Sequence, residues 1–184
     1  AFAAKRLKLN HLTGVFFGDA AAEQGACWES LNFASVHKLP IIYFCENNFY
    51  SVCSSLKLRQ PCDTKIYKKA AAFGMESIRI DGMNVLEVYE AVKSCAEKIK
   101  KEPQPIFIEA LTYRFRAHGG ANDDSVLGDD VNGYRNVSER EHWQKYADPV
   151  NHFERALETL GCLKKKDKAQ FESKIDQEIK DAFV

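Results

Sequence analysis

Apolar residues along this chain alternate between short continuous runs and stretches with helical spacing. The runs are rich in β-branched and aromatic residues, and three of the four end at a turn of Gly, Asp or Asn, which is typical of buried strands. We predict strands over residues 13–17, 41–45, 77–80 and 105–111. The helical spacing predicts helices over residues 21–38 and 86–101. Strands that alternate with helices indicate an α/β fold of three layers, with a mostly parallel sheet and helices on both faces.

The pattern changes after Tyr113. Residues 114–136 are rich in Gly, Asp, Asn and Arg and have no periodicity. A loop of this length inside a compact domain is usually functional or disordered. Two polar amphipathic helices follow, over residues 149–160 and 164–182. We therefore expect one domain over residues 1–184, with a mobile loop at 114–136 and a C-terminal helical segment at 149–184.

The amino-acid composition argues against several classes of function. Lys plus Arg and Asp plus Glu both number 26, so the formal net charge is zero. This balance argues against a broad surface for nucleic acid or membrane. The six cysteines form no CxxC pair, which favours reduced thiols in a reducing compartment over a disulfide or zinc scaffold.

Two polar residues follow the first two predicted strands. Asp19 comes after the first, and Asn48 comes after the second. In a right-handed βαβ unit both residues emerge at the carboxyl edge of the sheet, where open α/β sheets bind ligands. The predicted helix near Ala21 also directs its N-terminal N–H groups there. Hard oxygen ligands of this kind suit Mg²⁺. Spacing alone leaves a second interpretation open, in which Asp19 is an N-cap and Asn47 and Asn48 form a turn.

Several motifs carry a resemblance to a known family. The segments GDAAAEQG (residues 18–25) and FCENNFY (44–50) resemble the thiamine diphosphate signature, which opens with GDG and closes with NN. Further matches are SIRIDGM (77–83), IEALTYR (108–114), NDDS (122–125), Tyr134-Arg135 and Trp143. Over nearly its whole length the chain resembles the alpha subunit of thiamine diphosphate-dependent 2-oxo acid dehydrogenases, the decarboxylating component of the branched-chain and pyruvate enzymes.

The resemblance implies a set of site residues. Magnesium would be bound by Asp19, Asn48 and the carbonyl of Tyr50. The cofactor would contact these three together with Gly18, Ala20, Ala21, Val52 and His118, with the backbone of Gly18, Ala20 and Ala21 facing the diphosphate. Ala20 stands where the signature has glycine, a departure that is harmless unless the position requires a positive φ.

His118 matches the family's active-site histidine on the mobile loop. Such a side chain can donate to a diphosphate oxygen and can move protons during catalysis. A lone loop histidine is usually only solvated, so this role depends on the motif around it. For Arg114 and Arg116 two interpretations stay open, since they can contact diphosphate or anchor the loop by pairing with Asp123 and Asp124.

The family implies the cofactors thiamine diphosphate and Mg²⁺, decarboxylation of a 2-oxo acid and acylation of lipoamide. It also implies a beta subunit in a heterotetramer and a lipoyl-bearing acyltransferase component, with no nucleic acid or membrane partner. We expect the chain to be inactive alone, because the glutamate that activates the cofactor lies on the partner. The expected location is the cytoplasm of a bacterium or the mitochondrial matrix of a eukaryote. The family's N-terminal part is missing from the sequence, which we expect to be a fragment or one part of a split subunit.

Three alternatives remain at this point. The first is another thiamine diphosphate enzyme, such as an acetoin dehydrogenase or a transketolase-like protein. The second is a flavodoxin-like phosphate-binding module, which lacks support because neither GxGxxG nor GxxxxGK[ST] occurs. The third is a non-catalytic interaction subunit that keeps the fold.

Overall fold

The computed structural model describes residues 1–61, 65–116, 118 and 134–183. These residues divide into two compact units, Ala1–Ala147 and Asp148–Val184. The first unit holds the sheet, and the second holds two helices. The expectation of a single domain over residues 1–184 stays a prediction.

A parallel sheet of four strands forms the centre of the first unit. Its strands are β1 (Thr13–Gly18), β2 (Ile41–Asn47), β5 (Glu76–Asp81) and β6 (Pro105–Leu111). Their order across the sheet is β1-β2-β6-β5, and every neighbouring pair is parallel. A short antiparallel pair, β3 (Tyr50–Ser51) and β4 (Ser54–Ser55), follows β2. The predicted α/β class with a mostly parallel sheet is therefore confirmed.

Helices cover both faces of the sheet. On one face, α2 (Gly25–Val36) and α4 (Ile66–Ala71) contribute Leu31, Ala34, Ile66 and Ala70 to a core that includes Tyr43, Cys45 and Phe107. On the other face, α5 (Val85–Lys101) packs Cys95 and Ile99 against Ile42, Phe44, Ile106 and Ile108. Side chains alternate between the two cores along β2 because successive strand residues point to opposite faces. The helix predicted over residues 86–101 is confirmed as α5.

The interpretation of the first strand as buried is wrong. Within the first unit β1 lies at the edge of the sheet and pairs only with β2. The side chain of Phe16 is 69% exposed, and that of Val15 is 37% exposed. Strand order across the sheet is decided by long-range pairing, so the local apolar pattern of this strand could not identify an edge.

The helix predicted over residues 21–38 is broken near its start. A 3₁₀ turn covers Ala21–Glu23, Gln24 is extended with ψ of 138°, and α2 begins only at Gly25. The helix end predicted near Ala21 is therefore that of a short 3₁₀ turn, and the first turn of α2 lies several residues further along the chain. In addition, β2 continues through Asn47 and does not stop at residue 45.

Several short elements had no signal in the apolar pattern. They are α1 (Phe2–Arg6), the pair β3 and β4, α3 (Leu56–Arg59), α4 and α6 (Val137–Tyr146). In the second unit, the two C-terminal helices were predicted, and they appear as α7 (Pro149–Thr159) and α8 (Lys165–Ala182). No helix in the described part of the chain is long and apolar enough to span a membrane. The five described cysteines are free thiols.

Candidate functional site

Asp19 and Asn48 meet at the carboxyl edge of the sheet. Asp19 follows β1 and is only 2% exposed, and Asn48 follows the neighbouring strand β2. The backbone N–H groups of Asp19 itself and of Asn48 lie close enough to the Asp19 carboxylate to lower its pKa. The structure thus brings the backbone of Asn48 to the side chain of Asp19, while the role of these two residues as metal ligands stays a prediction.

Burial controls the ionisation of Asp19. Removal from water raises the pKa of this carboxyl above its ordinary value of 3.8, and the neighbouring Arg59 and the two backbone N–H groups oppose that rise. A buried carboxylate is stable only with hydrogen bonds and a counter-charge. The ion pair with Arg59 therefore offsets part of the cost of burying the Asp19 carboxylate.

The turn after β2 is held by the side chains of its own two asparagines. The Oδ1 atom of Asn47 accepts a hydrogen bond of 3.1 Å from the backbone N–H of Phe49. The Oδ1 atom of Asn48 accepts one of 3.0 Å from the backbone N–H of Tyr50. Asn47 is fully buried, whereas Asn48 is only partly buried. Asn47 is therefore the structural member of the pair, and Asn48 is the one that a ligand can reach.

Glu109 anchors this turn from the neighbouring strand. Its fully buried carboxylate accepts hydrogen bonds from Nδ2 of Asn47 at 2.7 Å and from the backbone N–H of Tyr67 at 3.0 Å. Arg79 donates two more, at 3.1 Å through Nε and 2.9 Å through Nη2. Glu109 was not among the predicted site residues. A usable signal existed, because Glu109 is the lone charge inside the otherwise apolar strand β6.

Two residues near Asn48 adopt a backbone conformation that favours glycine. Phe49 has a φ of 68°, and Val52 has a φ of 53°. Positive φ is unfavourable for bulky and β-branched side chains, and such strain concentrates at functional sites. The turn that carries Asn48 and Tyr50 is therefore held in a conformation that its sequence would not choose locally.

The three small residues predicted to face the diphosphate lie next to Asp19. Ala20 has φ −69° and ψ −34°, which is the ordinary right-handed helical region. The position therefore needs no glycine, as the sequence analysis required for the departure at Ala20 to be harmless. A Cβ atom on Gly18 would come no nearer than 3.9 Å to the carbonyl oxygen of Glu46. Contact of Gly18, Ala20 and Ala21 with diphosphate stays a prediction.

An aromatic and arginine cluster closes the base of the loop at residues 114–136. Arg114 donates through Nη2 to the carbonyl of Val52 at 3.1 Å and to the hydroxyl of Tyr134 at 2.9 Å. The ring of Tyr50 contacts that of Tyr134, with centroids 5.7 Å apart. Arg135 donates to the carbonyl of Arg114. Both ends of the loop are therefore joined beside Val52, and Arg114 anchors them.

The hydroxyl of Tyr50 contacts a residue of α6. It donates a hydrogen bond of 2.9 Å to the carboxylate of Glu139. Burial, reinforced by this bond to a carboxylate, raises the pKa of Tyr50 well above its ordinary value. The side chain fixes the residue, and the backbone carbonyl is the atom that the resemblance assigns to magnesium.

His118 is the one predicted site residue that the structure does not connect to the others. It is exposed, and no hydrogen bond or ion pair among the described residues joins it to Asp19 or Asn48. Residues 117 and 119–133 lie outside the described part of the chain. The predicted pairing of Arg114 and Arg116 with Asp123 and Asp124 lies outside it as well.

Arg59 is a member of the site that sequence analysis missed. It ends α3, 40 residues after Asp19, and its guanidinium forms an ion pair with the Asp19 carboxylate. Its Nη1 atom donates to Glu23 at 2.6 Å, and its Nε atom donates to the carbonyl of Ser54 at 3.2 Å. Its segment has no periodicity and no motif, so the pattern gave no reason to select this arginine.

The donor set can be tested against the metal that the resemblance implies. Within the described ranges, no three His, Cys, Asp or Glu side chains converge on a point where a metal ion could sit. The predicted set is different, with one carboxylate, one amide oxygen and one backbone carbonyl. Magnesium accepts a small number of such hard oxygens and completes its octahedron with phosphate and water. The single carboxylate of this set fits that requirement, and its Oδ2 atom is paired with Arg59.

Comparisons with known proteins agree with the motifs. The family model described as "Dehydrogenase E1 component" matches residues 1–184. The alpha subunit of mitochondrial 2-oxoisovalerate dehydrogenase from Mus musculus is 32% identical over 183 residues, covering 100% of this chain and 40% of that protein. The chloroplastic pyruvate dehydrogenase E1 component subunit alpha-3 from Arabidopsis thaliana is 35% identical over 173 residues, covering 93% and 38%.

A solved structure is also similar. It is that of a thiamin diphosphate-dependent enzyme from Mycobacterium smegmatis, with a TM-score of 0.48, 16% sequence identity and coverage of 62% of this chain and 20% of that one. The chain spans about two fifths of the length of the curated relatives it matches.

Proposed function

Because this chain belongs to the family of dehydrogenase E1 components, we propose that it forms the magnesium and diphosphate half of a thiamine diphosphate site. The complete enzyme is a 2-oxo acid dehydrogenase. The observation that supports this most directly is the meeting of Asp19 and Asn48 at the carboxyl edge of the sheet. A buried carboxylate at that edge, next to the backbone of a residue that carries an amide oxygen, suits Mg²⁺.

The roles of the residues follow from their positions. Asp19 supplies negative charge to the metal, Asn48 supplies a neutral oxygen, and the carbonyl of Tyr50 completes the protein ligands. The asparagine turn orients Asn48 and Tyr50, because Asn47 and Glu109 fix its backbone. The backbone of Gly18, Ala20 and Ala21 faces the diphosphate, and Val52 lies near the cofactor.

The chemistry is divided between the cofactor and this chain. When bound, thiamine diphosphate supplies the electron sink that lets a 2-oxo acid lose carbon dioxide. The residues of this chain bind and orient it through the metal. His118 donates a hydrogen bond or moves a proton near the reacting centre. Arg114 holds the base of the loop that carries His118.

The partners follow from the same proposal. A beta subunit completes the site in a heterotetramer, and a lipoyl-bearing acyltransferase receives the acyl group. Relatives named for 2-oxoisovalerate and for pyruvate match with similar identity, so the substrate is proposed as a small 2-oxo acid. The names of those relatives support a mitochondrial or chloroplast location in a eukaryote, and the bacterial counterpart is the cytoplasm.

The test is cofactor binding by the full-length protein that contains this sequence, co-expressed with its partner subunit. Calorimetry with Mg²⁺ and thiamine diphosphate should give saturable binding that Asp19→Asn weakens by about 100-fold or more, because the metal loses its charged ligand. The matched control is Asp81→Asn, an exposed carboxylate at the end of β5 in the same sheet, which should bind like the wild type.

Other outcomes distinguish the alternatives. Binding that is unchanged in Asp19→Asn, or absent from the wild type, contradicts the proposal and favours a non-catalytic interaction subunit. Turnover with lipoamide as acceptor separates a 2-oxo acid dehydrogenase from a transketolase-like enzyme. Decarboxylation by the 184-residue chain alone would contradict the need for a partner.

A further inference from the structure

The guanidinium of Arg59 occupies the coordination space of a proposed metal ligand. Its Nη2 atom pairs with Oδ2 of Asp19, and its side chain is only 13% exposed. The backbone N–H groups of residues 19 and 48 also lie near the Asp19 carboxylate and lower its pKa. Among these partners Arg59 alone carries a positive charge. A divalent cation that approaches Asp19 therefore meets a cation already in contact with its ligand.

Arg59 has two further anchors that do not involve Asp19. Nη1 donates to Glu23 at 2.6 Å, and Nε donates to the carbonyl of Ser54 at 3.2 Å. Gln60 donates to the same Glu23 oxygen at 2.9 Å and accepts from Lys69 at 3.0 Å. The guanidinium can thus release Asp19 and remain held by Glu23 and Ser54, so the exchange requires only a local movement.

Electrostatics determine whether Arg59 strengthens or weakens metal binding. Asp19 is 2% exposed, and a buried carboxylate without a counter-charge is strongly unfavourable. With the metal absent, Arg59 supplies that charge. With the metal present, two cations beside one carboxylate repel each other in a region of low dielectric constant. The arginine and the metal therefore compete for the same oxygen.

We infer that Arg59 is a built-in counter-cation of Asp19, which a divalent metal displaces when it binds, so that Arg59 lowers the affinity for the metal. This inference rests on the proposed function, because it takes Asp19 as the metal ligand. It adds a regulatory element to the site. The metal-free chain keeps its buried carboxylate neutralised, and the metal must reach a threshold concentration before it replaces the arginine.

The experiment measures binding of Mn²⁺ alone by electron paramagnetic resonance, on the full-length protein with its co-expressed partner. Arg59→Gln removes the competing charge and should tighten Mn²⁺ binding by about tenfold. The matched control is Lys57→Gln, which removes one positive charge from an exposed position of the same helix α3 and should leave the affinity unchanged. Without metal, Arg59→Gln should melt at a lower temperature than the wild type, and saturating Mn²⁺ should reduce that difference.

The direction of the change in Mn²⁺ affinity decides whether the inference holds. If Arg59 only holds the structure together, Arg59→Gln binds Mn²⁺ equally or more weakly, and the inference is wrong. If Arg59→Gln does not fold, Arg59→Lys provides the test. A lysine cannot bridge two carboxylates as a guanidinium does, so its affinity should lie above that of the wild type, and an equal or lower affinity overturns the inference. If neither the wild type nor any variant binds Mn²⁺, the proposed function itself fails.

Discussion

The side-chain amide of Asn47 donates a hydrogen bond of 2.7 Å to the carboxylate of Glu109, which lies 62 residues further along the chain. The bond joins the ends of the two central strands, β2 and β6, at the edge where the candidate site lies. The carboxylate of Glu109 is also paired with Arg79. A charged cluster within the sheet therefore fixes the geometry of the turn that presents Asn48.

Replacing Glu109 with glutamine should destabilise the first unit by about 2–3 kcal/mol. The change leaves Arg79, which is mostly buried, without its counter-charge. Urea unfolding at neutral pH measures the difference. The exposed Glu46 of β2 is the matched control, and Glu46→Gln should alter stability by less than about 0.5 kcal/mol. The double variant Glu109→Gln, Arg79→Gln should be more stable than Glu109→Gln alone; a further loss would show that the pair is not coupled.

The two neighbouring asparagines should differ in what their loss affects. Asn47→Ala leaves the backbone N–H of Phe49 and one bond to Glu109 unsatisfied in a buried place, so stability should fall by about 2 kcal/mol. Asn48→Ala removes a partly exposed group, so stability should fall by about 1 kcal/mol or less. Under the proposed function, Asn48→Ala should weaken Mg²⁺ binding by about tenfold or more. Urea unfolding and magnesium titration of both variants check this. The reverse ranking in either measurement contradicts the assigned roles.

Gly82 should not tolerate a side chain. A Cβ atom there would lie 2.6 Å from Cγ2 of Thr112 and 2.8 Å from the carbonyl oxygen of Leu111. That oxygen cannot easily move, because it accepts a 2.8 Å hydrogen bond from the backbone N–H of Gly82. Gly82→Ala should therefore destabilise the fold by about 1–3 kcal/mol. Gly25, where an added Cβ meets nothing within 4 Å, is the control. Thermal unfolding should show no loss for Gly25→Ala, and a similar loss at both positions would argue against overpacking.

The thiols should react in an order set by burial. Cys53 and Cys162 are exposed, whereas Cys45 and Cys95 are buried. Burial raises the pKa of the Cys45 and Cys95 thiols above their ordinary value of 9.0, which lowers their thiolate fraction at pH 8. A chromogenic disulfide reagent should modify the first pair rapidly and the second pair only as the chain unfolds. The rapid phase should be lost when Cys53→Ser and Cys162→Ser are made, and this loss would identify these two thiols as its source.

The raised pKa of the Cys95 thiol predicts a loss of stability in alkali. A thiol whose pKa is raised in the folded state binds its proton more tightly there than in the unfolded chain. Stability from this source is complete below the unfolded pKa of about 9 and is lost as the pH rises beyond it. Wild-type protein should therefore lose more stability between pH 8 and pH 10 than Cys95→Ala. Parallel curves for the two proteins would contradict the shift.

The local apolar pattern correctly predicted the elements whose own sequence shows a long and regular signal. The strand at Pro105–Leu111 has the predicted bounds, and α5 begins one residue before its prediction. These segments carry strong apolar signals, one continuous and one at helical spacing. The short α3 and α4 were missed because four to six residues are too few to show a period, and their burial is decided by tertiary contacts.

The site was predicted only in part for a similar reason. Asp19 and Asn48 follow strands, so the rule that parallel strands end at one edge placed them together. Arg59 reaches Asp19 across 40 residues, and no local feature of its segment indicates a partner. Sequence alone could have found Glu109 as an isolated charge in an apolar strand, but not which atoms it binds.

The contacts that define the candidate site connect distant parts of the chain: Asp19 with Arg59, Glu23 with Gln60, and Asn47 with Glu109. Closing such long loops is entropically unfavourable until the strands between them have paired. The polar edge can therefore assemble only after all four strands are in register. Binding of a cation or diphosphate at this edge therefore indicates that the sheet is complete. Shorter pieces of the first unit should not retain the affinity of the site.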